Sequence, residues 1–189
     1  MRGWLNLRDN FKSGDAMGLS QGIQDAINDQ IHHEFHSAYV YLAMSAYLEA
    51  ATFIGFAKWM RLQAGEEVNH AMRLFDYVND RNGRVQLKAL EQPPANFKSV
   101  LDTFEQALKH EQKVTSMIHS LYALATNEND YATQVALEWF IREQVEEEAT
   151  ASKVVDRLKI AGNDGAALLM LDNELGARQP EAAGGGDED

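Results

Sequence analysis

Residues 63–70 read QAGEEVNH and lie inside a long stretch that has the hydrophobic spacing of an α-helix. Glu67 and His70 are three positions apart, so a helix places both on one face, one turn apart. A carboxylate and an imidazole in this arrangement can bind one metal ion between them. The stretch therefore predicts a pair of metal ligands in the middle of a helix.

The same arrangement of polar residues occurs twice in the chain, with an offset of 77 residues. The repeated set is Glu34, Glu67 and His70 in the first half and Glu111, Gln144 and Glu147 in the second half. We interpret the chain as two similar helical hairpins, each of which contributes half of one site.

Four stretches carry apolar residues at alternating steps of three and four, which is typical of helices that face a bundle core. They span residues 27–48, 56–77, 104–125 and 137–158. Short links join the first to the second and the third to the fourth, so we expect antiparallel neighbours. Residues 84–96, which contain two prolines, have little helical period. A helix of about 27 residues is about 40 Å long, and about a dozen extended residues cover that distance. We therefore expect one long crossover between helices two and three.

Local signals predict several helix ends and a short fifth helix. Thr52 and Asp130 are predicted N-caps of helices two and four, and Asn82-Gly83 is predicted to end helix two. Residues 162–165 are predicted to end helix four, and residues 166–175 to form helix five. The predicted fold is an all-α four-helix bundle with one long crossover plus a short fifth helix. Its domain spans residues 19–176, between a flexible N-terminal extension (1–18) and a disordered acidic tail (177–189).

Composition excludes several classes of function. The formal net charge is −12, from 17 basic and 29 acidic residues, which disfavours binding to nucleic acid. The sequence has no cysteine, which excludes disulfides, thiolate catalysis and iron–sulfur clusters. No apolar run has the length of a membrane span, and no secretory signal is recognisable. We expect a cytoplasmic protein that contacts neither membrane nor nucleic acid.

Four glutamates occupy inward positions, one on each long helix: Glu34, Glu67, Glu111 and Glu147. Burying an unpaired carboxylate costs several kcal/mol, and clustered carboxylates repel one another. Protonation or bound cations would relieve this. Oxygen-rich ligation with one imidazole suits iron(II) or manganese and also admits zinc. The alternative is that each glutamate flanks the apolar stripe and faces solvent. Because all four occur in phase in a repeat, we favour a dinuclear metal centre.

Three more acids accompany the predicted centre. Glu66, Glu143 and Glu146 each precede an inward position by one residue, about 100° round the helix from it. They could flank the centre as a third, looser cation site. The alternative is a solvated acidic face, and the spacing supports both equally.

Aromatic residues and histidines near the centre have simpler interpretations. Tyr41 lies two turns from Glu34, and Trp139 lies near Gln144. Either could supply an electron or a hydrogen bond during oxygen chemistry, but spacing alone favours a role in the core. The remaining histidines are interpreted as surface or subunit-contact residues: His32, His33, His36, His110 and His119.

Taken together, these residues resemble the nonhaem bacterial ferritins. The motifs that carry the resemblance are Glu34 with Tyr41, EEVNHAMRLFDY at 66–77, KHEQ at 109–112, WFIREQVEEE at 139–148 and LDNEL at 171–175. The resemblance covers about residues 19–176. It implies a ferritin-like di-iron domain that acts as a ferroxidase, oxidising iron(II) with oxygen or peroxide. It also implies storage of ferric mineral inside a hollow homo-oligomeric shell of 24 subunits.

The resemblance also implies roles for individual residues. The first iron site would be Glu34, Glu67 and His70, and the second would be Glu67, Glu111 and Glu147, with Glu67 bridging. The third iron site of this family branch would be Glu66, Glu143 and Glu146, with Glu147 shared. Gln144 corresponds to a hydrogen-bonding glutamine beside the centre, and Tyr41 to the family's tyrosine near it.

Related families fit less well. The haem-containing bacterioferritins have a haem-ligating Met where this chain has Val68, and a His where it has Glu147, so we expect no haem. The rubrerythrins add a Cys-ligated iron domain that a chain without cysteine cannot form. Two other functions stay open: a di-iron or manganese–iron redox enzyme that acts on an organic substrate, and a structural assembly whose carboxylates are protonated or bind zinc.

Overall fold

The computed structural model describes residues 18–180, and these form five α-helices and no strand. The helices are α1 (Gln21–Ala50), α2 (Ile54–Asp80), α3 (Val100–Asn127), α4 (Tyr131–Ala161) and α5 (Gly165–Gly176). The predicted all-α architecture, with four long helices, one long crossover and a short fifth helix, is confirmed. Most of the predicted N-terminal extension (1–17) and of the predicted acidic tail (181–189) lies outside the described residues.

Four of the five helices have a side-chain cap at their N-terminus. Ser20, Ser99, Asp130 and Asp164 each accept a hydrogen bond from the backbone N–H three residues later, which satisfies one of the free amides of the first turn. The predicted cap at Asp130 is confirmed.

The prediction that Thr52 caps α2 is wrong. Phe53 is the N-cap residue and makes no side-chain cap hydrogen bond. The link between α1 and α2 reverses the chain within three residues, and it does so by placing Thr52 in the left-handed region, with φ 66°. The Thr52 hydroxyl donates to the carbonyl of Ala51, so it does not reach the first turn of α2.

The long crossover lies against α1, and side chains of α1 satisfy its backbone. The amide nitrogen of Asn28 donates to the carbonyl of Arg84 at 3.0 Å, and its oxygen accepts from Gln86 N at 2.7 Å. The side-chain oxygen of Gln24 accepts from Arg84 N at 2.8 Å. Because these contacts hold the crossover along the bundle, α3 starts at the same end as α2 and runs parallel to it.

The buried core consists of two apolar clusters. One contains residues such as Met44, Phe56 and Phe104, and the other contains residues such as Ile27, Leu74 and Leu137. Along each of the four long helices, the inward polar residues fall between the parts that contribute to the two clusters. The bundle therefore has a polar layer at mid-height, with an apolar core above and below it.

The short helix α5 docks on the N-terminus of α2. A carboxylate oxygen of Asp172 accepts from Phe56 N at 2.8 Å, so Asp172 caps α2 from a distant part of the chain. A Cβ on Gly55 would lie 1.7 Å from the carbonyl oxygen of Asp172, so only glycine permits this approach. Because Gly55 has no side chain, α5 can pack against the first turn of α2 and supply the cap that the N-cap residue of α2 does not provide.

We expect Asp172→Ala to destabilise the fold by about 1–2 kcal/mol, because it leaves the buried Phe56 N–H without an acceptor. Thermal unfolding followed by circular dichroism measures the effect as a lower Tm. Asp156→Ala, which changes an exposed acid on α4, is the control and should leave the Tm nearly unchanged. Equal Tm values for the two variants would contradict the remote cap.

Candidate metal centre

The four inward glutamates are buried in the polar layer, one from each long helix. Glu34 and Glu67 are 1% exposed, Glu111 is 0% exposed, and Glu147 and His70 are each 7% exposed. The alternative in which these glutamates face solvent is therefore wrong. Helical spacing explains the arrangement, because each acid replaces an apolar residue on the stripe that its helix turns inward.

One half of the layer brings together the ligand pair that the sequence singles out and a third group. Carboxylate oxygens of Glu34 and Glu67 and a ring nitrogen of His70 all lie within 4.8 Å of one another. Gln30 donates to Glu34 Oε1 at 2.8 Å. The other oxygens, Glu34 Oε2 and Glu67 Oε2, are buried and accept no hydrogen bond from a backbone, amide or hydroxyl donor among residues 18–180. Their nearest polar neighbours are each other's carboxyl group and His70 Nδ1, which lies 3.6 Å from Glu67 Oε2. Buried polar atoms are rarely left unpaired, so these oxygens fit a bound cation.

The other half of the layer contains acids that each accept from a neutral side chain. The Tyr41 hydroxyl donates to Glu111 Oε1. The amide of Gln144 lies 3.4 Å from Glu111 Oε2, which places this predicted glutamine beside the centre. Gln63 is fully buried and donates to Glu147 Oε2 at 2.7 Å. Sequence analysis assigns no function to Gln63, although a polar residue on the inward stripe one turn before Glu67 was the available signal.

Burial raises the pKa of every acid in the layer. Loss of solvation is the largest cause, and it raises the pKa of Glu111 to about 7 and that of Glu147 to about 8. The pKa of Glu67 is raised well above its ordinary value by burial and by the neighbouring carboxylates, and that of Glu34 is raised by burial. Burial lowers the pKa of His70 to about 4, so this ligand candidate is neutral and can bind a metal. His70 therefore supplies no positive charge to balance the carboxylates of the layer near neutral pH.

The two aromatic candidates lie on opposite sides of the layer. Tyr41 is buried, and burial followed by the charge of nearby carboxylates raises its pKa well above the ordinary value. Trp139 packs its ring against His70, with a centroid distance of 5.4 Å, and the guanidinium of Arg73 lies 4.3 Å from its centroid. Both rings therefore touch a candidate ligand.

The three acids predicted to form a third site have different surroundings. Glu143 has an oxygen within 4.8 Å of ligand atoms of both His70 and Glu147. Glu66 forms an ion pair with Arg178, and Glu146 is exposed. Within residues 18–180, the groups of side chains close enough to share a metal ion include neither Glu66 nor Glu146. Their role in a third site stays a prediction.

The structure changes the interpretation of His110 and adds a contact within the subunit for His32 and His36. His110 is not a surface residue, because its ring packs against Tyr41 and its Nε2 lies 2.7 Å from Ser37 Oγ. His32 and His36 contact the crossover of their own subunit, at 3.5 and 3.8 Å from Glu91. The sequence could not show these contacts, because both depend on the paths of distant segments.

Comparisons with known proteins agree with this architecture. A family model described as a ferritin-like domain matches residues 24–161. Bacterial non-heme ferritin of Staphylococcus haemolyticus is 41% identical over 144 residues, which cover 76% of this chain and 87% of that protein. Bacterial non-heme ferritin of Staphylococcus aureus is 39% identical over the same shares.

Solved structures give the same result. The open pore ferritin of the archaeon Archaeoglobus fulgidus superposes with a TM-score of 0.85 and 46% identity, over 86% of this chain and 100% of that chain. A closed form of the same ferritin, engineered by site-directed mutagenesis, has a TM-score of 0.85 and 47% identity, over 86% of this chain and 99% of that chain.

We expect the metal-free protein to lose stability as the pH rises from about 4.5 to about 8. Carboxyls of the unfolded chain ionise near the lower limit, whereas folded Glu111 and Glu147 retain protons up to pKa values of about 7 and about 8. Between these limits the folded state binds more protons, so stability falls by at most about 1.4 kcal/mol per pH unit for each retained proton, and the fall ends above the folded pKa values. The Tm measured as a function of pH tests this.

The neighbouring acids provide a matched pair of variants for this test. Glu147→Gln removes one of the titrating buried groups, so it should flatten the pH dependence. Glu146→Gln changes an exposed acid one residue away and should leave the pH dependence as in the wild type. Parallel curves for all three proteins would show that burial of Glu147 does not set the dependence.

Proposed function

The chain belongs to the ferritin family, and from this premise we propose that it is a ferroxidase that oxidises iron(II) and stores the ferric product in a hollow shell of 24 subunits. The observation that carries the proposal is the layer of four buried glutamates and His70, in which two carboxylate oxygens accept no hydrogen bond from a backbone, amide or hydroxyl donor among residues 18–180. The proposed compartment is the cytoplasm.

In this proposal, iron(II) is the substrate and the layer binds two ions at once. Glu34, Glu67 and His70 hold the first ion, and Glu67, Glu111 and Glu147 hold the second, with Glu67 between them. The mutual closeness of Glu34, Glu67 and His70 supports the first set. Gln144 and Tyr41 orient Glu111 by hydrogen bonds. Because Val68 and Glu147 stand where haem-binding relatives differ, no haem takes part.

The chemistry needs two electrons and a supply of protons. With oxygen as the oxidant, each of two iron(II) ions gives one electron to one oxygen molecule, which takes up two protons and leaves as hydrogen peroxide. With peroxide as the oxidant, two electrons and two protons convert one peroxide molecule to two water molecules. Glu111 and Glu147 hold protons near neutral pH and must release them when metal binds. The layer therefore holds both ions close together and supplies protons beside the reacting oxygen.

The surface supports assembly into a shell. Large apolar side chains are exposed on α1 and on the crossover, and they include Tyr39, Leu42, Leu87 and Leu90. Exposed apolar groups on neighbouring elements are typical of interaction surfaces. None of the helices within residues 18–180 has the length and apolar content needed to cross a membrane.

Aerobic addition of iron(II) to the metal-free protein tests the proposal. We expect oxygen uptake together with an optical change, and retention of ferric iron by a large particle on size-exclusion chromatography. Oxygen uptake without iron retention would favour a redox enzyme that acts on an organic substrate, and the absence of both would favour a structural assembly.

We expect Glu67→Ala to slow iron(II) oxidation by about a hundredfold or more, because it removes the ligand that both ions share. Stopped-flow absorbance measures the rate. Glu138→Gln, at an exposed acid on α4, is the control and should oxidise iron(II) as the wild type does. A fast Glu67→Ala protein that is still folded and assembled would refute the assignment.

We expect Tyr41→Phe to shift the pH profile of iron(II) oxidation to higher pH. The Tyr41 hydroxyl lowers the pKa of Glu111, so its loss raises that pKa and makes the proton harder to displace by metal. Tyr131→Phe, at an exposed tyrosine of α4, is the control and should leave the pH profile as in the wild type. Superimposable profiles for the two variants would show that Tyr41 does not act through Glu111.

A further inference from the structure

An arginine shortly after α5 folds back towards the acidic centre. Arg178 lies two residues beyond the end of α5, and its Nη2 lies 2.9 and 3.0 Å from the two oxygens of Glu66. The two side chains are 24% and 12% exposed. A charge pair with this little exposure is only weakly screened by solvent and salt.

The same guanidinium also contacts the buried layer through one intermediate. Its Nη1 donates to the side-chain oxygen of Gln63. This contact fixes the orientation of the Gln63 amide, whose nitrogen donates to Glu147 Oε2 at 2.7 Å. Arg178 is thus bonded directly to Glu66 and linked through Gln63 to Glu147.

The position of this charge matters because Glu66 and Glu147 are the two acids that the Arg178 guanidinium reaches, the first directly and the second through Gln63. The charge of Glu66 contributes to the raised pKa of Glu147. A cation that bound Glu66 would have to displace the guanidinium, which already contacts both oxygens of Glu66. The cation and Arg178 would therefore compete for the same acid.

We propose that Arg178 is a positioning residue that withholds Glu66 from a third metal ion, so that the ion binds only when the arginine moves away. The inference rests on the proposed iron-binding function. The backbone of Arg178 is fixed by a hydrogen bond to the carbonyl of Leu175, so only the side chain has to move. That side chain lines an open groove with Trp59, Lys153, Arg157 and Glu174, and the movement breaks its contact with the Trp59 ring, whose centroid is 5.6 Å from the guanidinium carbon.

Zinc titration of the metal-free assembled protein tests this without any redox step. Zinc(II) accepts oxygen and nitrogen ligands and is not oxidised. Isothermal titration calorimetry should resolve a third equivalent per subunit that is weak in the wild type. We expect Arg178→Gln to bind this equivalent about tenfold more tightly, since a charge-assisted contact no longer has to be broken.

Two further variants separate a specific contact from a general loss of charge. Arg157→Gln removes the same charge from the same groove, but Arg157 pairs with Glu174, so the third equivalent should bind as in the wild type. Arg178→Lys keeps the charge but cannot span Glu66 and Gln63 together, so we expect an intermediate affinity. An equal gain in Arg157→Gln and Arg178→Gln, or no gain in Arg178→Gln, would overturn the inference.

A crystal structure of the zinc-saturated wild-type protein decides the question even if Arg178→Gln fails to fold. Zinc on Glu66 with the Arg178 side chain displaced supports the inference. Zinc on Glu66 beside an intact ion pair, or a zinc-saturated protein with no zinc on Glu66, overturns it. The iron assay is independent. If the wild-type protein oxidises iron(II) but Arg178→Gln does not change the affinity for the third zinc equivalent, only this inference is refuted. Failure of the wild-type protein to oxidise iron(II) counts against the proposed function.

Discussion

The main physical constraint on the structure is the repulsion among four carboxylates that are buried in one layer. Loss of solvation and mutual charge raise their pKa values, and few donors are present to balance them. A fold that tolerates this arrangement must hold the acids rigidly and offer them protons or cations. The apolar clusters on both sides of the layer supply the rigidity, and the unpaired oxygens of Glu34 and Glu67 mark where a cation fits.

The connections determine how four helices deliver one acid each to the same height. Two short links produce antiparallel hairpins, and the crossover, which Asn28 and Gln24 hold against α1, returns the chain so that the second hairpin is in register with the first. The repeat of Glu34, Glu67 and His70 as Glu111, Gln144 and Glu147 thereby becomes an approximate symmetry of the site. The short helix α5 adds a cap to α2 and brings Arg178 back to the centre.

Helical period alone predicts the four long helices, the crossover and the burial of the inward acids, because these features follow from local spacing. It fails where a tight turn sets the backbone and where a contact joins distant segments. Thr52 looks like a cap, but the tight reversal of the chain decides its conformation. His110 looks like a surface residue, but it packs from α3 against Ser37 and Tyr41 of α1. The sequence analysis assigns no contact to Gln63, Asp172 or Arg178, because their roles depend on how α5 docks.

The division of the core into two apolar clusters also has a consequence for motion. In the subunit without metal, each half of the bundle is held by its own hydrophobic contacts, whereas the middle contributes charge repulsion and little apolar burial. Local opening should therefore begin at this waist rather than at the helix ends. Backbone amides near the centre of the long helices would then exchange their hydrogens faster than amides in either half, and cation binding would suppress that exchange.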